Sequence, residues 1–147
     1  MAVGQALPLD MLMYYDARPC GMNGLFKHET YEPLKGYYSF VAFDTLARLG
    51  TSVKTEYEKD GIYSCAATNG TDSAVVLTYY DEDDESENKM VELEIAGNSG
   101  KTVAEAYLLD ENNDLTLVSK QYFTSEKFAL IFDMKIHTSV LVKLVKA

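Results

Sequence analysis

Along the chain the spacing of apolar positions changes once, near Gly50. Upstream, "MLMYYDARPCGMNGLF" (11–26) is apolar as far as Tyr15 and polar at Asp16 and Arg18; a loop with Pro19, Gly21, Asn23 and Gly24 follows. A strand ending this way delivers polar side chains to the carboxyl edge of a sheet, where α/β folds build active sites. Next, "PLKGYYSFVAFDTLARLG" predicts a helix from about residue 33 to residue 49. Pro33 suits its first turn, Thr30 or Glu32 is placed to cap it, Arg48 complements its carboxyl end and Gly50 permits a left-handed stop. Leu34, Tyr37, Tyr38, Val41 and Thr45 form one stripe, which Phe40, Phe43, Leu46 and Ala47 widen beyond the needs of a surface helix. Such a helix is expected to be buried on several sides.

After Gly50 the period becomes two, the mark of antiparallel strands with one buried face. Strands are predicted over residues 61–68, 73–80, 90–96, 102–110, 115–123, 128–134 and 139–147. "MVELEIA" alternates most cleanly, with Val91, Leu93 and Ile95 on one side and Glu92 and Glu94 on the other. Turn residues separate the strands at Asn69-Gly70, at 98–100 and at 112–114. Short strands at this spacing give a mainly β fold: a two-sheet antiparallel β-sandwich with one N-terminal α-helix packed on it. The expected division is a strand-loop-helix segment over residues 1–50 and the sandwich over 51–147.

Size and charge restrict the function classes. With 147 residues the chain has room for one core and cannot close an eight-stranded barrel, which takes about 250 residues. Apolar residues make up 47%, enough to fold. Thirteen basic against 23 acidic residues give a formal net charge of -10, which argues against nucleic acid and anionic membrane surfaces as partners. The acidic run "DEDDESENK" (81–89) lies between strands and reads as a solvated loop. Cys20 and Cys65 are expected to stay reduced, Cys65 packed as a small apolar residue. The first residues lack the basic start and apolar stretch of a secretory signal, and no segment has the length of a membrane span. Cytoplasm is the expected location, with an extracellular one open if an upstream part is missing.

Candidate chemistry is sparse. His28 and His137 lie in turns with no nucleophile motif beside them, so triad hydrolysis is not supported. "DENND" offers Asp110, Asn112 and Asp114 at alternate positions as a cation loop does, yet Leu115 stands where the calcium motif needs glycine. A plain hairpin turn is preferred there, and no metal or cofactor is expected. Asn69-Gly70-Thr71 matches a glycosylation acceptor but reads as a turn. Carboxylates are abundant, and no pair is distinguished as a glycosidase acid and nucleophile. Tryptophan is absent and tyrosine numbers 11. Tyr79, Tyr80, Tyr107 and Tyr122 fall within predicted strands, where packing is preferred to a sugar platform.

The strings "MLMYYDARP", "NGLF" and "PLKGYYSFVAFDTLARLG", followed by "DGIYSCAATNGTDSAVVLTYYDEDD" and "VELEIAG", carry a resemblance. They resemble the last strand and last helix of the catalytic barrel, and then the C-terminal β-sandwich, of family 39 glycoside hydrolases, whose clan includes β-xylosidases. The resemblance spans nearly the whole chain but only the carboxyl third or so of such an enzyme. It implies that the catalytic glutamates belong to barrel strands absent here, so no catalysis is expected from this chain. What it implies for the residues present is a substrate-cleft rim at Asp16, Arg18 and Asn23. Relatives usually carry a tryptophan just before "NGLF"; Met22 stands in that stretch here.

The resemblance makes the chain a non-catalytic accessory domain of a hydrolase acting on plant-type or other glycans. A free-standing carbohydrate-binding module and an oligomerisation domain are the alternatives. Carbohydrate is then the expected ligand class. A helix cut from between a barrel and a sandwich keeps an apolar face without its partner. The chain is expected to lay residues 7–26 and the helix against the sandwich or to form a homodimer, unless an N-terminal catalytic barrel covers that face.

Overall fold

The computed structural model describes residues 2–5, 7–20, 24–56 and 60–147. In chain order its elements are α1 (Ala2–Gln5), α2 (Lys35–Leu49), β1 (Thr51–Val53), β2 (Ile62–Thr68), β3 (Ser73–Tyr79), β4 (Lys89–Ile95), β5 (Thr102–Leu109), β6 (Asp114–Phe123), β7 (Phe128–Met134) and β8 (Ser139–Lys146). Every strand expected from the period-two pattern is present within two residues at either end. The short β1 carries too few residues for a period to register, and its three side chains are all exposed.

All pairings between strands are antiparallel. A six-stranded sheet runs β1-β2-β3-β8-β5-β6, and β4 and β7 make a two-stranded sheet. The small sheet covers part of the inner face of the large one, so the expected sandwich is present but strongly unequal. Its core takes alternate residues: Val75, Leu77 and Tyr79 from β3, Val140, Val142 and Leu144 from β8, Ala104 and Ala106 from β5, with Val91 and Leu130 from the small sheet. Phe123 and Phe128 stack at 4.0 Å between ring centroids where the chain passes from β6 to β7 and so from one sheet to the other. Between the β6 and β7 edges a cleft of 260 Å³ stays open, with Ala104 and Ala106 at its floor.

The intervening residues of the large sheet face the other way and form a second core with α2. Ala42 and Leu46 of the helix meet Ala67, Ala74 and Leu141, with Leu49, Cys65, Val76 and Tyr107 around them. Desolvation there pushes the Cys65 thiol above its ordinary range. The order of layers is therefore helix, large sheet, small sheet.

The helix departs from its sequence reading in two respects. Pro33 lies outside it, in an isolated bridge to Phe26, and Leu34 stands at the N-cap without any side-chain cap. Thr30 instead accepts a weak hydrogen bond from the Glu32 N–H at 3.4 Å. The stripe facing the sheet is Ala42, Leu46 and Leu49, whereas Val41 is exposed. Tyr37 and Phe40 form a flank, packed on Phe26 and Tyr14 at centroid distances of 5.3 and 5.2 Å. At the carboxyl end the expected features hold: Arg48 Nε donates to Asp44, and Gly50 has φ 87°.

Candidate substrate-cleft rim

Residues 7–20 form no strand, contrary to the sequence reading. Leu7, Leu9, Met11, Leu12, Met13, Tyr14 and Tyr15 are all exposed, Met13 to 82%. The physical reason is that a strand needs hydrogen-bonding neighbours, and a barrel-type strand needs them on both sides. Among the described residues, pairing near this segment is limited to isolated bridges, Pro19 parallel to Phe26 and Phe26 antiparallel to Pro33. Nor is the segment buried against the sandwich as expected. Its clearest anchor is Tyr14, edge-on to Phe40 of α2.

Past this run the chain tightens. Leu25 is buried and accepts a hydrogen bond from the Leu34 N–H at 2.9 Å; the Lys27 N–H donates to the Glu32 carbonyl at 2.8 Å. Gly24 is buried against the backbone of Arg18 and Cys20, so closely that an added Cβ would lie 2.3 Å from the Arg18 oxygen. The Asn-Gly dipeptide at 23–24 was the one sequence signal for that approach.

Between residues 16 and 18 a local turn brings Asp16 and Arg18 together. Asp16 Oδ1 accepts from the Arg18 backbone N–H at 2.9 Å, and Oδ2 accepts from Arg18 Nε at 2.7 Å. Arg18 Nη2 reaches the Tyr15 hydroxyl at 3.3 Å. The Arg18 N–H holds the Asp16 carboxyl below its ordinary range; desolvation opposes it, and the guanidinium adds to the lowering. Asp16 in turn raises the guanidinium's pKa further above its ordinary value. A carboxyl stabilised as the anion is a poor proton donor, so the pair suits hydrogen bonding to hydroxyls better than acid catalysis. Asn23, the third rim residue expected from sequence, lies outside the described residues, as does Met22.

The other candidates are engaged locally. Asp110 Oδ1 accepts from the N–H groups of Asn112 and Asn113 at 2.8 Å each and from the Asn113 side-chain amide at 2.9 Å. Burial pushes the Asp110 carboxyl up, but these bonds outweigh it and leave it below its ordinary range. Asp114 receives the Lys35 ammonium at 2.6 Å, and the same ammonium donates to the Asn113 carbonyl at 3.2 Å. A lysine from the first turn of α2 thus supplies the positive charge at this turn. Among the described residues no group of three or more His, Cys, Asp or Glu side chains is placed to hold a metal ion. Asn69 spends its side-chain oxygen on the N–H groups of Thr71 and Asp72 in the β2–β3 turn. His137 pairs with Asp84 at 2.9 Å, which ties the acidic loop to the β7–β8 turn. Of the four tyrosines weighed as a sugar platform, Tyr79 is fully buried and Tyr107 partly so, while Tyr122 is exposed and so is Tyr80, which lies just past the end of β3.

No family model and no curated protein matches the chain by sequence. Solved structures do match by shape. A glucosidase from Croceicoccus marinus superposes with a TM-score of 0.71 at 10% identity, over 86% of this chain and 34% of that one. The GH39 enzyme from Xanthomonas axonopodis pv. citri gives 0.69 at 10% identity, covering 84% and 32%. A GH30 endoxylanase from Clostridium papyrosolvens gives 0.64 at 16% identity, covering 85% and 31%. The fold is thus one found within glycoside hydrolases, and the chain spans about a third of the length of the structures it matches. Among the described residues no helix is long and apolar enough to cross a membrane.

Proposed function

We propose that this chain is the C-terminal third of a family 39-like glycoside hydrolase. Residues 7–49 supply the last strand and helix of a catalytic barrel, and the sandwich is a non-catalytic buttress. The observation that carries this reading is the exposed apolar run at residues 11–15, leading directly into the Asp16–Arg18 pair. Apolar side chains exposed so continuously call for a covering surface. Paired between barrel strands, the run becomes a buried strand and Asp16 and Arg18 come to its carboxyl edge, where barrel enzymes meet substrate. There the guanidinium and carboxylate bind glycan hydroxyls, while the acid and nucleophile come from barrel strands outside this chain. Without a barrel, a second copy of the chain covers the run, and a homodimer is expected.

Immunodetection in the source cells with an antibody raised against this chain tests the reading. A polypeptide about three times the chain's 16.4 kDa, hydrolysing aryl β-glycosides when immunopurified, is the expected result. A species of 16.4 kDa alone would overturn it. Turnover of the same substrates by the purified chain would equally remove the non-catalytic role.

A further inference from the structure

The outer face of the large sheet is covered by α2 over part of its area, and the uncovered corner has a composition unlike the rest of the molecule. There β8, β5 and β6 present side chains in cross-strand rows. Lys143 lies opposite Glu105, and Glu105 opposite Lys120. In the next row Val145 lies opposite Val103, and Val103 opposite Tyr122. Tyr122 is 60% exposed and Val145 40%, so this row forms an open apolar floor.

The lysines are held in place. Lys120 donates to Glu105 Oε1 at 2.8 Å, and the Tyr107 hydroxyl donates to Glu105 Oε2 at 2.7 Å. Lys143 Nζ sits 4.7 Å from the Tyr107 ring centroid, and Lys101 Nζ sits 5.3 Å from that of Tyr122. Among the side chains of this corner three ammonium groups stand against the one carboxylate of Glu105, a local excess of positive charge on a chain whose formal net charge is -10. Such a local reversal of sign selects an anionic occupant, since the surrounding field repels anions elsewhere. An exposed aromatic ring beside aliphatic side chains stacks on the apolar face of a pyranose. Cation–π contacts reduce the freedom the lysines lose on binding.

We propose that this corner is a binding platform for an acidic glycan. A sugar ring rests on Tyr122, and uronate carboxylates face Lys101, Lys120 and Lys143. The requirement for negative charge stands on the patch itself; that the polymer is a glycan rests on the function proposed above.

Isothermal titration of the purified chain with oligogalacturonates, neutral xylo-oligosaccharides and polyglutamate tests the platform. Saturable binding of oligogalacturonates is expected, weakening as salt screens the lysines. Tyr122→Ala and Lys101→Glu are each expected to weaken it about fivefold or more with the thermal midpoint unchanged, because both side chains lie at the surface. The two substitutions act at separate positions, so a folding defect in one leaves the other to decide. No binding of oligogalacturonate overturns the site. Equal binding of polyglutamate or of neutral oligosaccharide overturns its acidic-glycan character. The size of the native polypeptide is a separate readout, so the two readings fail separately.

Discussion

Gly24 shows how one residue fixes a site it does not itself contribute to. The atoms that a Cβ would meet, the Arg18 oxygen at 2.3 Å and the Cys20 nitrogen at 2.7 Å, are backbone and cannot swing aside. Gly24→Ala is therefore expected to cost about 1–3 kcal/mol in urea denaturation and to loosen the turn that joins Asp16 to Arg18. Glu105 illustrates a different dependence. The Lys120 ammonium, then the Tyr107 hydroxyl, hold its carboxyl below the ordinary value of 4.5. Because the folded pKa lies below the unfolded one, the resulting stabilisation is present above about pH 4.5 and is lost as pH falls through the folded value. Lys120→Gln removes the larger cause, and the Glu105 midpoint read by carbon NMR is expected to move up toward 4.5. An unmoved midpoint would show that the ion pair does not set it.

At the scale of elements, the helix separates what the apolar pattern reveals from what it hides. Leu46 is buried at 5% exposure between α2 and the sheet, whereas Val41, placed in the apolar stripe by sequence, is 37% exposed. Leu46→Ala is expected to cost about 2–4 kcal/mol in chemical denaturation and Val41→Ala less than about 0.5 kcal/mol. A reversed order would return the sheet-facing side to the stripe read from sequence. That stripe was misplaced because Tyr37, Phe40 and Phe43 lie on flanks that are half-covered, so periodicity could not single out the side facing the sheet. β4 was legible because it turns alternate residues, Val91, Leu93 and Ile95, into one core, and the central strands because they send alternate residues to the cores on either face, as Val75 and Leu77 against Ala74 and Val76 of β3 do. Asp16 and Arg18 were legible as polar residues ending an apolar run. Their mutual ion pair was not, since it depends on the backbone turn between them.

For the whole molecule, the opening segment is where sequence and structure disagree, and the reason is topological. Residues 11–15 have the composition of a buried strand, but a strand is a property of its neighbours as much as of its residues, and among the described residues no strand of either sheet pairs with them. The β-sandwich and its helix are satisfied within the chain: among the described residues no buried side-chain nitrogen or oxygen lacks a hydrogen-bond partner. The apolar run leaves Met11, Leu12 and Met13 at 63–82% exposure, somewhat more than Met90, Tyr122 and Ile131 of the sandwich at 55–65%. Polar replacement there should then leave folding intact and change association alone. Leu12 and Met13 are 63% and 82% exposed, so the double variant Leu12→Ser, Met13→Ser is expected to keep its unfolding free energy within about 0.5 kcal/mol. Light scattering across a concentration series should show the original chain self-associating and the variant shifted toward monomer. Equal association of the two would mean that this run is not the surface that copies of the chain, or a barrel, must cover.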